Sequence, residues 1–244
     1  MKKLLSKVEV HPLTYIILFI MLHEGLIKYV FVISTILIIH ELGHLLFMKI
    51  FKRKIVLIKI FPFGSLIKVD SVLSTNIYED IIISLGGIIA QLVASVFINN
   101  DMFLYYNKLI ILFNLLPICP LDGYRVLKNI TELFLPYNKT FFVSFVISIL
   151  FLSIIIIKRV DIIYYNLLII IFMIYSTFKE YSLKKFYMFK FFYERKKYKV
   201  RFRRVVYISK KENMYKNRFN MINNIREDIY LQEEPLKYLL IHSK

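Results

Sequence analysis

From Leu26 to Ile50 the chain is apolar almost without interruption, yet His40, Glu41 and His44 lie inside that run. A helix needs ~20 residues to cross a hydrocarbon core, and this stretch is long enough. Ionisable side chains at that depth are expensive, so they face protein or water rather than lipid and are functional candidates by default. The run therefore predicts a membrane protein whose chemistry is embedded in a span.

Composition agrees. The chain is 58% hydrophobic, above the ~45–50% of soluble domains. Its one cysteine, Cys119, excludes an intramolecular disulfide. The net charge of +17 is read as the Lys and Arg excess of cytoplasmic loops rather than a nucleic-acid footprint.

The other apolar segments run from Pro12 to Leu22, read as a retained short span rather than a cleaved leader, and from about Ile81 to Ile98. A further one, about Leu109 to Ile118, is broken by Pro117 and Pro120. The last two, about Thr140 to Ile157 and Ile162 to Phe178, are separated by Lys158 to Asp161. Together these give an all-α polytopic protein with about six transmembrane helices. Placing Lys2, Lys3, Lys7, Lys52, Arg53, Lys54, Arg125, Lys128 and the tail on one side makes both termini cytoplasmic.

Between the second and third spans, Ile/Lys alternation flanks the turn Phe61-Pro62-Phe63-Gly64-Ser65. That pattern predicts a β-hairpin, either membrane-associated or an ordinary surface hairpin. An inserted hairpin would offer an edge strand to an extended substrate. Residues 1–178 are read as the membrane domain and 179–244 as a small basic cytoplasmic tail. Basic residues interleaved with aromatics beside a last span are expected on anionic lipid or a protein partner, with no nucleic acid.

The chemistry rests on His40-Glu41-Leu42-Gly43-His44. Positions i and i+4 share a helix face, so both imidazoles can bind one metal while Glu41 reaches a water on it. A catalytic zinc takes three protein ligands and keeps a fourth position open. His11, His23 and His242 lie outside the spans that hold the motif, so a carboxylate is sought. Asp122 stands out, since it follows the broken segment in Asn114-Leu-Leu-Pro-Ile-Cys-Pro-Leu-Asp122-Gly123. Unwound backbone is tolerated at membrane depth where it lines a cavity. Cys119 is the competing third ligand.

These two motifs resemble those of the site-2 proteases, the intramembrane zinc metalloproteases, and within them the bacterial sporulation branch. The resemblance covers about residues 1–180 and implies one Zn2+ held by His40, His44 and Asp122, with Glu41 as base and Asn114 as a substrate or transition-state contact. No other cofactor is implied. It implies that Phe61 to Ser65 belongs to a membrane-reentrant loop, and that Gly86, Gly87 and Gln91 stand where many members carry Gly-Pro-x-x-Asn, without a catalytic role. The interval from His44 to Asn114 leaves no room for the PDZ module of other branches, and the tail is short for a nucleotide-sensing CBS domain. The implied substrate is a membrane-associated protein, a sporulation pro-sigma factor foremost, with membrane inhibitor proteins as further partners. The implied location is the membrane surrounding the forespore. An anti-sigma factor, a remnant signal peptide, a catalytically silent scaffold and a metal transporter are the other readings. The scaffold should have lost a ligand or the base, and the transporter should spread polar positions over facing helices.

Overall fold

A computed structural model describes residues 8–10, 12–53, 55–61, 64–69, 76–158, 163–197, 202 and 204–233. The chain is mostly helical and divides into two compact units, residues 1–71 with 82–114, and 72–81 with 115–244.

The first unit contains β1 (Val8–Val10), α1 (Pro12–His23), α2 (Ile27–Ile50), β2 (Ile55–Phe61) and β3 (Gly64–Val69), then most of α3 (Ile77–Phe97) and all of α4 (Asp101–Asn114). Helix α2 is apolar all round, and burial separates its faces. Phe31, Ile38, Leu42, Leu46 and Ile50 are exposed, whereas Ile36, His40, Gly43, His44 and Met48 are buried. That is the arrangement of a lipid-facing helix, with its polar groups turned inward. Its end is closed by Lys52 in the left-handed region (φ 54°) and by Arg53 N–H donating to Met48 O at 2.8 Å, a Schellman stop. Strand β2 then pairs antiparallel with β3, from Ile55↔Val69 to Phe61↔Gly64, and β1 adds in parallel. The expected turn residues Pro62 and Phe63 lie outside the described residues.

Helix α4 starts earlier than apolarity alone suggests. Asn100 Oδ1 accepts from Phe103 N–H at 3.0 Å, capping the helix so that it begins at Asp101 and ends at Asn114, not over 109–118. Among the described residues, α2, α3 and the Tyr137–Ile157 part of α6 are long and apolar enough to cross a membrane. Helices α1 and α4, at 12 and 14 residues, are shorter than the ~20 a perpendicular crossing takes.

The second unit contains α5 (Asp122–Phe134), α6 (Tyr137–Lys158), α7 (Ile163–Ser182) and α8 (Lys184–Lys197). It continues through β4 (Val205–Ile208), a 3-10 turn at Lys211–Asn213, β5 (Phe219–Ile222), β6 (Ile225–Arg226) and α9 (Glu227–Glu233). Helix α6 buries Tyr137, Thr140, Phe141, Ser144, Ser148 and Leu152 at helical spacing and exposes Phe142, Val146, Leu150 and Ile157. The small hydroxyl residues on the buried stripe let neighbouring backbone approach.

Most of the stretch read as a basic tail shares a core with α6. Met188, Phe191, Phe192, Met214, Ile222 and Leu231 close on Tyr137 and Phe141. Strand β5 runs parallel to β4 and antiparallel to β6, and Asn223 and Asn224, both with positive φ, form the two-residue hairpin turn. Arg195 is buried and tied to Glu227 Oε1 at 3.0 Å and to the carbonyls of Lys216 and Tyr215 at 2.6 and 3.1 Å. Burial lowers its pKa to about 10 against the opposing pull of Glu227. Burial likewise raises Glu227, with Arg195 and the amide groups of Asn220 working the other way. Lys216 donates to Glu132 Oε2 at 2.7 Å and lies 3.6 Å from Asp80 Oδ2. Burial pulls Lys216 down, but the two carboxylates outweigh it and hold the ammonium above its ordinary value.

Candidate metal centre

His40 and His44 lie one turn apart on the buried face of α2, and their Nε2 atoms are 3.0 Å apart. The other ring nitrogens are occupied. His44 Nδ1 is 2.7 Å from the backbone carbonyl of Ile83, and a carbonyl can only accept, so Nδ1 carries the proton. His40 Nδ1 is 2.9 Å from Gln91 Oε1, which is also an acceptor. In the neutral form of each ring, both Nε2 atoms therefore present lone pairs to the same point. Two lone pairs at this separation repel unless a cation or a shared proton lies between them. Imidazole nitrogens suit zinc, so this pair fits the metal that the motif implies.

Helix α3 makes that orientation possible. Ile83, Gly87 and Gln91 repeat every four residues and so face α2 as one stripe. A Cβ on Gly87 would come within 2.6 Å of the His40 ring, and one on Gly43 would run into the Gly86 carbonyl. Glycine at these positions lets the helices close until Ile83 O and Gln91 reach the imidazoles. Gln91, fully buried, continues inward: its Nε2 donates to Asn107 Oδ1 at 3.1 Å.

Asp122 belongs to the second unit, is 5% exposed and opens α5. A carboxylate is favoured there by the helix N-terminus, and Arg125 Nη1 lies 3.6 Å from its Oδ1. The chain reaches Asp122 through the non-helical residues 115–121, with a cis peptide at Cys119-Pro120. The Pro117 carbonyl accepts from Ser148 Oγ at 2.8 Å. Gly123 is required because a Cβ would strike the carbonyls of Leu115 and Leu116. Cys119, the alternative ligand, is a buried free thiol in this segment.

Glu41 is half-buried beside His40. Asn114 ends α4, and its Nδ2 donates back to Ile110 O at 3.1 Å. The motifs assign Gln91 no catalytic role, and neither Ile83 nor Asn107 belongs to one. Gln91 was detectable as a polar residue inside an apolar span, but the Ile83 contribution is backbone and leaves no trace in residue type.

Comparison with known proteins converges on one group. Residues 28–100 match the model of peptidase family M50. The stage IV sporulation protein FB of Bacillus subtilis (strain 168) is 30% identical over 148 residues, 56% of this chain and 51% of that protein. The chain thus spans about half the length of this curated relative. The solved site-2 protease from Methanocaldococcus jannaschii shares the fold, with a TM-score of 0.54 over 71% of this chain and 90% of that one at 19% identity. Over residues 28–100 this membrane protein is thus similar to peptidase family M50, and its fold is similar to that of a solved site-2 protease.

Proposed function

We propose that the protein is a zinc metalloendopeptidase that cuts a membrane-associated protein substrate, with one zinc held by His40, His44 and Asp122. The observation that carries this reading is the approach of the two Nε2 atoms to 3.0 Å, with each Nδ1 facing an acceptor. The burial of Asp122 at a helix start supports it as the third ligand. Zinc bound there supplies Lewis acidity that polarises a carbonyl and activates water. Glu41 accepts the proton of the attacking water and returns it to the leaving amine. Asn114 is assigned a contact to substrate or transition state.

The likeness to a protein named for stage IV of sporulation supports a pro-sigma factor as substrate. That reading carries membrane inhibitor proteins, a multi-pass topology with cytoplasmic termini, and anionic lipid at the basic C-terminal region. The second reading, an anti-sigma factor or remnant signal peptide, keeps the same chemistry. Co-expression of each candidate with wild type and with Glu41→Gln separates them. A pro-sigma factor cut only by wild type supports the first reading, and cleavage of another candidate alone replaces it. Cleavage by Glu41→Gln within about tenfold of wild type removes Glu41 as base, since general acid–base catalysis contributes ~100-fold or more.

A further inference from the structure

We propose that Asn107 and Gln91 are positioning residues which fix the tautomer of His40, so that its Nε2 rather than its Nδ1 is offered to the metal. The inference rests on the zinc reading above and identifies what prepares that site.

One group in this chain of contacts has no choice of polarity. The backbone carbonyl of Gln91 can only accept. It lies 3.2 Å from one terminal atom of the Asn107 amide, which must therefore be Nδ2. The same Nδ2 lies 2.8 Å from Ser95 Oγ, whose own proton is given to the Gln91 carbonyl at 2.8 Å, so the hydroxyl can only receive from Asn107. With Nδ2 placed by two acceptors, Oδ1 points the other way and accepts from the Gln91 side chain at 3.1 Å. The Gln91 atom at that contact is therefore Nε2, and its Oε1 is the atom 2.9 Å from His40 Nδ1. An acceptor there requires a proton on Nδ1 and, in the neutral ring that binds a metal, leaves the lone pair on Nε2. Each step is forced by the one before, and Gln91 and Asn107 are 0% and 2% exposed, so water does not compete for them.

The two histidines are thus fixed by different means. Ile83 O orients His44 through backbone, which no substitution at that position removes. His40 depends on two side chains, and an amide alone could turn over and present N–H to Nδ1. Asn107, on the next helix, is what prevents Gln91 from turning.

The test uses the full chain purified in detergent with selectively 15N-labelled histidine, and free zinc as the probe. In metal-free wild type, His40 is expected as the Nδ1–H tautomer; an Nε2–H tautomer overturns the proposal without reference to any variant. Gln91→Leu and Asn107→Leu should each weaken zinc binding by ~10- to 100-fold, the usual effect of removing a group behind a metal ligand. In metal-free Asn107→Leu, where nothing holds the Gln91 amide, His40 should lose its fixed Nδ1–H tautomer. Wild-type affinity in either leucine variant, or an unchanged His40 tautomer in Asn107→Leu, contradicts the relay. His40→Ala is the control for the reading beneath it. If that variant binds zinc like wild type, the metal assignment fails, whereas the tautomer measurement still tests the relay.

Discussion

His40 Nε2 lies 3.0 Å from His44 Nε2 while each Nδ1 faces an acceptor, so between neutral rings the two Nε2 lone pairs oppose each other and a cation between them relieves the repulsion. Zinc binding should therefore stabilise the fold as well as enable chemistry. At free zinc 100 times its Kd the gain is ~2.7 kcal/mol by mass action. A chelator should lower the thermal midpoint of the detergent-purified protein, and His40→Ala should melt at one temperature with or without zinc. A chelator-independent midpoint in wild type would show that the two rings do not meet at a metal.

Glu227 should be indispensable to the second unit. It holds the buried Arg195 guanidinium through Oε1, while Oε2 accepts from Asn220 N–H at 3.1 Å and from its Nδ2 at 2.7 Å. Glu227→Gln leaves a buried cation without its counter-charge, at a cost of ~3–5 kcal/mol. Hydrogen exchange over 205–233 is the measurement, with faster exchange expected there and little change in α2. An apolar pair, Arg195→Met with Glu227→Leu, should recover most of the loss, because removing both members avoids the stranded charge.

Lys216 gives the same unit an alkaline limit. Its folded pKa is raised above the ordinary lysine value of about 10.4. The charged pairing therefore contributes fully below that ordinary value and is lost as pH rises through the folded one. Denaturation midpoints should be flat through neutral pH and fall above about pH 10.4 in wild type. Lys216→Met should be less stable at neutral pH and lack that alkaline step. An equal step in both would place the titration on another group.

What the sequence could disclose follows from how local each signal is. His40 and His44 were legible because one helix places i and i+4 on one face. The start of α4 was not read, because Tyr105, Tyr106, Asn107 and Lys108 interrupt the apolar run that marked the segment. Only packing against α3 reveals Asn107 as a buried partner rather than a surface residue. In the C-terminal stretch, the density of Lys and Arg masks the β-branched and aromatic run Val205-Val206-Tyr207-Ile208. Arg195 is a core residue only because Glu227, 32 positions away, meets it. Asp122 was reached through two prolines and a glycine, and the collision that a Cβ at Gly123 would make accounts for that glycine.

The most direct test of the account is X-ray absorption at the zinc edge of the purified protein, which reads the ligand set itself. One zinc per chain is expected, surrounded only by nitrogen and oxygen at ~2.0–2.2 Å, as two imidazoles and one carboxylate require. Zinc occupancy should fall in Asp122→Asn, because a neutral amide is a poorer ligand for a dication. A sulfur shell at ~2.3 Å would instead assign the third position to Cys119, and full zinc content with normal cleavage in Asp122→Asn would contradict the proposed centre.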